Sequence, residues 1–213
     1  MIKGLADMLR IPLPKLRELG EALRAVFTGP FTTKFPKKVD SVHPNFRGVL
    51  KIHEEKCIGC GACSQVCPTN AREMIVDKEK GVMRSIHHAE RCIYCGQCVA
   101  SCPVDAIYHT NEFDLAETER SENWQTEVDK ELVYCEMCGR PFATKAQLLW
   151  IAHKVGDLVN ANPTLLLILY QDIGTAPPTD AGKGKEFPYR SGTMRILCPE
   201  CRRKVYLHEE WGY

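Results

Sequence analysis

The sequence predicts an α+β fold organised around metal sites rather than around a large apolar core, and three observations carry that prediction. Twelve of the 213 residues are cysteine; eight of these fall in two copies of one spaced run; and the remaining four form two pairs in the carboxy-terminal part. Length alone allows one or two domains of roughly 150 residues each. The composition, 44% hydrophobic and 26% charged, is that of a soluble globular chain. The longest pure apolar stretch, Leu165 to Tyr170, falls far short of the roughly 18 residues that a spanning helix needs. The start, Met1-Ile2-Lys3-Gly4, lacks a signal peptide's apolar core, so secretion is disfavoured as well. A formal net charge of +1 argues against a strongly basic nucleic-acid binder or an acidic tail protein.

That charge is unevenly spread: +5 over residues 1–56, zero over 57–111, −6 over 112–131 and +2 over 132–213. Such blocks mark solvated faces or partner-binding surfaces. They also mark the expected organisation: an amino-terminal arm over 1–48, a cysteine-rich unit over 49–111, an acidic connector over 112–131 and a second cysteine-bearing module over 132–213.

In the arm, Pro14 can open a helix at its first position, and Leu16, Leu19, Leu23, Val26 and Phe27 then share one face. The helix is expected to end before Gly29-Pro30 and to be followed by an extended segment through Phe35-Pro36 and Phe46-Arg47-Gly48. An apolar face flanked by cations suits a membrane surface or another subunit. The alternative is packing on the chain's own small body.

The central unit is an internal repeat. Cys57, Cys60, Cys63 and Cys67-Pro68 form a C-x2-C-x2-C-x3-C-P run, and Cys92, Cys95, Cys98 and Cys102-Pro103 repeat it 35 residues later. Three cysteines at intervals of three can surround one iron-sulfur cube, while the fourth, turned aside by its proline, reaches the other cluster. The pattern assigns Cys57, Cys60, Cys63 and Cys102 to one 4Fe-4S cluster, and Cys92, Cys95, Cys98 and Cys67 to the second. Gly59, Gly61, Ala62 and Gly96 let backbone amides approach the sulfurs, and Ile58, Val66, Ile93, Val99 and Ile107 are candidates to exclude water. A disulfide scaffold fits an unsecreted chain poorly, and zinc sites use isolated C-x2-C pairs rather than eight cysteines in a doubled run. Met74 to Asp77 and Val82 to Ile86, around Lys78-Glu79-Lys80-Gly81, read as a hairpin with a positive-φ glycine. The unit is therefore expected to be a bacterial-type, two-cluster ferredoxin-like α+β domain. Its clusters must supply much of its stability, leaving the apo form largely unfolded.

In the last module, Cys135 and Cys138 form one C-x2-C knuckle and Cys198 and Cys201 another, giving a tetrahedral thiolate set that suits one Zn2+ in a zinc-ribbon-like arrangement. Rubredoxin-like iron or a third cluster could use the same ligands. Between the knuckles, Thr144-Lys145-Ala146-Gln147 fits a capping box, and Leu148, Ile151, Ala152, Val155, Leu158 and Val159 recur at helical spacing as a core stripe. Leu165 to Tyr170 is open between strand and helix. Gly174 to Arg190 is expected to be a loop, and Arg202-Arg203-Lys204 gives a weak nucleic-acid signal.

Together, the amphipathic arm, Phe35-Pro36, Phe46-Arg47-Gly48, the paired runs with Cys92-Ile93-Tyr94-Cys95-Gly96, and Asn111-Glu112-Phe113-Asp114-Leu115-Ala116 resemble the two-cluster ferredoxin subunit of respiratory complex I. The two carboxy-terminal knuckles resemble the version of that subunit found in formate hydrogenlyase and related energy-converting membrane-bound hydrogenases. The resemblance spans about residues 15 to 145 plus the last knuckle; the long insertion between the knuckles has no counterpart in it.

The resemblance implies an electron-transfer subunit of a membrane-bound multisubunit oxidoreductase, of the respiratory hydrogenase or sulfur-reducing kind. Electrons would enter from ferredoxin or another iron-sulfur protein and leave to a single-cluster small subunit beside the large catalytic subunit. The arm would dock on membrane-embedded subunits, with the chain peripheral on the cytoplasmic side of the membrane and no catalytic residue of its own. The alternatives are a free soluble ferredoxin with a zinc appendage and an iron-sulfur or zinc regulator of nucleic acid.

Overall fold

The computed structural model describes residues 13–29, 34–38, 41–119, 124–178 and 194–211, and of residues 13–15 and 209–211 the backbone alone. Pro30, the middle of the acidic connector (120–123) and most of the expected loop (179–190) lie outside the described residues. The chain divides into two compact units, residues 1–44 and 45–213.

In the first unit, helix α1 spans Leu13–Thr28. It stops where the apolar periodicity stops, because Gly29 adopts φ 83° and its N–H returns to Ala25 O at 2.9 Å, a left-handed cap that glycine accommodates without a Cβ clash. Leu16, Leu19, Leu23, Val26 and Phe27 are all exposed, the last at 85%.

The second unit starts with a short antiparallel pair, β1 (Leu50–Ile52) against β4 (Ile107–His109), with Leu50 opposite His109 and Ile52 opposite Ile107. Its ladder continues outward through Gly48 N–H to Thr110 O (3.0 Å) and Val49 N–H to Glu112 O (2.9 Å). A Cβ on Gly48 would lie 2.3 Å from Glu112 O and 2.5 Å from Thr110 O, so this strand pair closes only around glycine. Phe46 meets Phe113 edge to face, ring centroids 6.2 Å apart. Two segments far apart in sequence thus pair with each other.

Two one-turn helices, α2 (Ala62–Gln65) and α3 (Gln97–Ala100), each hold the third cysteine of a triplet. Between the two runs, β2 (Arg72–Asp77) and β3 (Val82–His88) form the expected hairpin, longer at its open end because Arg72 pairs with His87. Gly81 supplies the turn's positive φ of 69°, and Asp77 Oδ1 accepts from the Glu79 and Lys80 N–H groups.

The acidic connector does not separate two bodies. Strand β5 spans Gln125–Tyr134, crossing the boundary expected at 131/132, and adds antiparallel to β3, with β6 (Pro141–Thr144) beyond it in the order β2-β3-β5-β6. Val128 and Leu132 point inward while Glu127, Asp129 and Glu131 face solvent, so the negative charge at the end of the connector is one face of a strand. Arg84 of β3 answers it, pairing with Asp129 at 2.9 Å and with Glu127 at 3.5 Å.

Helix α4 (Lys145–Val155) begins at Thr144, whose Oγ1 accepts from Gln147 N–H at 3.2 Å, as the capping pattern requires. At Gly156 (φ 56°) the chain leaves α-helical geometry for a 3₁₀ segment, Gly156–Ala161. The stripe is buried only in part: Leu148, Ala152 and Val159 are buried, but Val155, at the end of α4, and Leu158, in the 3₁₀ segment, are exposed, the latter at 73%. Leu165 to Tyr170 is helical, inside α5 (Pro163–Asp172), with Pro163 in the first turn and Asn162 capping Leu165 N–H. Residues 174–178 carry no helix or strand. Leu148, Ala152, Val159, Leu165, Ile168 and Ile196 close one core, and α6 (Pro199–Trp211) carries the last cysteine.

Candidate metal centres

The sequence repeat is repeated in the backbone. Positive φ occurs at Gly59 (66°) and Tyr94 (54°), at Gly61 (78°) and Gly96 (79°), and at Asn70 (51°) and Asp105 (49°), each pair offset by the same 35 residues as the cysteines. Gly61 and Gly96 are the N-caps of α2 and α3. Each fourth cysteine receives a matched bond at its sulfur: Ala71 N–H to Cys67 Sγ and Ala106 N–H to Cys102 Sγ, both 3.2 Å. Tyr94 N–H also points at Cys92 Sγ, 3.4 Å away. These are loops shaped to aim amides at sulfur.

A small cavity is lined by Cys67, Cys92, Cys95 and Cys98 together, with Arg72 and His87 on its wall. The first run's fourth cysteine therefore stands with the second run's triplet. Cys63 feels the charges of Cys57 and Cys60, and its thiol is pushed up, by burial first, with the Arg72 guanidinium opposing. Burial also raises Cys92 and Cys98. Burial acts in the same sense on Cys67, but hydrogen bonds from Thr69, Arg72 and Ala71 outweigh it and lower the thiol overall. Eight thiols, amide donors aimed at sulfur and a cavity-wall guanidinium with no hydrogen-bond partner among the described residues fit polyanionic iron-sulfur clusters.

Of the residues expected to exclude water, Ile58 and Ile107 are buried and Val99 is half-buried. Val66 and Ile93 are not: they are 36% and 61% exposed. Val66 follows the last residue of one-turn α2, and Ile93 lines the cavity beside Cys92 and Cys95.

The second thiolate group also assembles. The sulfurs of Cys135, Cys138, Cys198 and Cys201 all lie within 4.8 Å of one another, and Cys138 and Cys198 are 3.9 Å apart. Tetrahedral bonds of about 2.3 Å to a central zinc place sulfurs about 3.8 Å apart, so the geometry suits a metal and not a disulfide. Three of the four are buried and Cys138 is exposed. The Cys138 thiol is brought down to about 6, chiefly by the backbone N–H of Arg140 and then by its guanidinium. The insertion brings the knuckles together by returning Ile196 beside Glu136, with Glu136 N–H to Ile196 O at 3.0 Å and Ile196 N–H to Glu136 Oε1 at 2.9 Å. Arg202, read from sequence as a phosphate contact, is half-buried and donates to Asn162 Oδ1 and Thr164 Oγ1, which takes it out of that role.

Three site contacts escaped sequence reasoning. Arg47 donates to Cys95 O at 2.8 Å. Thr144, wholly buried, caps α4 and also donates to Ile58 O in the first cysteine loop, while Lys130 donates to Glu54 O at 2.6 Å. The carboxy-terminal module therefore packs directly on that loop, through contacts with no local sequence signature. Arg72 had a signal: it stands 35 residues before Ile107, at the apolar position of the repeat.

Comparison with known proteins bears on the doubled cysteine unit. Residues 50–109 match the 4Fe-4S dicluster domain. Formate hydrogenlyase subunit 6 of Escherichia coli is 36% identical over 125 residues, covering 59% of this chain and 69% of that protein. NADH-quinone oxidoreductase subunit I of Carboxydothermus hydrogenoformans is 31% identical over 33% of this chain and 51% of its own. Subunit 9 of the Thermus thermophilus enzyme is 38% identical over 26% of this chain and 33% of its own. The chain thus spans about half or less of the two NADH-quinone oxidoreductase subunits. Among solved structures, a chain of the membrane-bound sulfane sulfur reductase, an archaeal respiratory membrane complex, shares 29% identity over 46% of this chain and 53% of its own, with a TM-score of 0.37. On its doubled cysteine fold and its identity across more than two thirds of that relative, the chain is a 4Fe-4S dicluster protein belonging to the family of formate hydrogenlyase subunit 6.

Proposed function

We propose that this chain is the electron-relay subunit of a membrane-associated multisubunit oxidoreductase, peripheral on the cytoplasmic face and without a catalytic centre of its own. The observation that carries the reading is the duplicated cysteine unit, whose two halves agree in spacing, backbone dihedrals and sulfur-directed amides. In this reading Cys57, Cys60, Cys63 and Cys102 hold one 4Fe-4S cluster and Cys92, Cys95, Cys98 and Cys67 the other. The clusters supply one-electron transfer. The chain's own residues hold them: Ala71, Ala106 and Tyr94 donate amides to sulfur, and Ile58, Val99 and Ile107 limit water.

The donor is a reduced ferredoxin or an adjacent iron-sulfur subunit. The acceptor is a single-cluster small subunit beside a large catalytic subunit. The five exposed apolar side chains of α1 are the docking face for membrane-embedded subunits, which separates a fixed subunit from a free soluble ferredoxin. Cys135, Cys138, Cys198 and Cys201 hold one zinc ion with no open coordination position, a structural role. Like the sequence, the described residues contain no helix long and apolar enough to cross a membrane.

Two experiments test this. In the assembled complex, Cys95→Ala should stop electron flow from reduced ferredoxin to the catalytic subunit while every subunit remains present; undiminished flow would overturn the relay. Deletion of residues 1–30 should release the subunit from native membranes with about eight irons still bound. Unchanged membrane retention would contradict docking through α1 and leave the soluble carrier as the better reading.

A further inference from the structure

Arg72 is 2% exposed, and none of its three guanidinium nitrogens has a hydrogen-bond partner among the described residues. Arginine does not lose its proton in proteins, so the position carries a permanent buried charge. Desolvating such a charge without an anion is strongly unfavourable, and a buried unsatisfied group of this kind points to an absent ligand. Among the described residues no carboxylate pairs with it: Glu73, its neighbour on β2, is turned to Arg91 and His88. His87 beside it is held neutral, its pKa lowered to about 4 by burial and then by Arg72 itself. What the guanidinium does face is the cavity of Cys67, Cys92, Cys95 and Cys98; its charge acts on Cys92 and Cys98 there and also reaches Cys63 of the other triplet.

The internal repeat supplies the control. Arg72 opens β2 directly after Ala71, whose amide bonds Cys67 Sγ; Ile107 opens β4 directly after Ala106, whose amide bonds Cys102 Sγ. At otherwise matched positions, one half carries a charged fork with five N–H donors and the other a buried, 6% exposed isoleucine. The geometry points to Arg72 as a potential-setting residue: its guanidinium hydrogen-bonds the cluster held by Cys67, Cys92, Cys95 and Cys98 and makes it the higher-potential cluster of the pair. Positive charge and N–H donors favour the reduced, more negative state, and hydrogen bonds to the sulfurs and net charge are among the levers that set cluster potential. The asymmetry gives two halves of one repeat two different potentials, and so a direction for the electron between them.

The inference rests on the two-cluster reading, which iron content tests separately. In the full chain, reconstituted anaerobically to about eight irons, a redox titration should resolve two potentials. Arg72→Met should shift the reduced-to-oxidised ratio of the higher-potential cluster at least tenfold toward oxidised at a fixed potential, about 59 mV for one electron. Arg72→Lys, which keeps the charge, should recover more than half of that shift. A higher potential unchanged within twofold in a fully loaded Arg72→Met protein overturns the inference. If that variant does not load, the native protein decides. With 15N-arginine incorporated, its reduced cluster should show a nitrogen hyperfine coupling that Arg72→Lys removes, and absence of the coupling refutes the bond.

Discussion

Thr144 joins the two metal-bearing parts of the chain through one hydroxyl, and its loss should be felt in both. Oγ1 accepts from Gln147 N–H to cap α4 and donates to Ile58 O inside the first cysteine loop, in a position with no solvent exposure. Thr144→Val keeps the shape, including the methyl group that packs at Gly59, and removes only the hydroxyl. Losing a helix cap costs about 0.5–2 kcal/mol, and leaving a buried carbonyl such as Ile58 O without a partner costs about 1–3 kcal/mol. The two effects act at one site, and a combined loss of about 2–4 kcal/mol follows. Cluster proteins rarely unfold reversibly, so the measurement is kinetic: the rate of cluster bleaching in anaerobic urea. Even if a third of the loss appears on the unfolding limb, the lower bound gives about a threefold acceleration, and full expression gives about thirtyfold or more. The first four irons released should carry the acceleration. A change below about 1.5-fold, or an equal effect on all irons, would show that the module does not brace that loop.

Two further outcomes follow from contacts elsewhere. Gly48→Ala must push apart the β1 and β4 extensions, because its Cβ would stand 2.3 Å and 2.5 Å from two backbone oxygens; a loss of about 3 kcal/mol, the upper end for overpacking, should appear as faster bleaching, and native-like rates would contradict the close approach. Native protein should contain about one zinc beside its irons. Cys201→Ala should abolish the zinc and expose α6 to proteolysis, since zinc binding supplies about 10–16 kcal/mol in small zinc modules, while the irons stay in place.

What was legible in the sequence was local. The cysteine spacing, the Gly81 turn, the Thr144 cap and the end of α1 at Gly29 each depend on residues within a few positions of one another. What escaped depended on pairing across distance. Residues 112–131 read as an acidic connector because their charge is conspicuous, yet the alternation that buries Val128 and Leu132 makes the end of that stretch part of β5, an inner strand between β3 and β6. The stripe on α4 carries past Gly156 only in part: Val159 joins the core of Leu148 and Ala152, while Leu158 is left outside. Val66 and Ile93 are apolar neighbours of cysteines, yet short loops do not fold over themselves deeply enough to bury every such side chain. Arg72 shows a different gap: a residue legible only by comparing the two halves and asking why one breaks the apolar pattern.

The exchange of the fourth cysteine between the two halves is tested most directly by iron content in paired variants. Cys67→Ala with Cys95→Ala should strike one cluster twice and leave about four irons per chain, whereas Cys67→Ala with Cys60→Ala should strike both and leave close to none. The reverse pattern, about four irons in the second pair and none in the first, would place Cys67 with its own triplet and contradict the exchange.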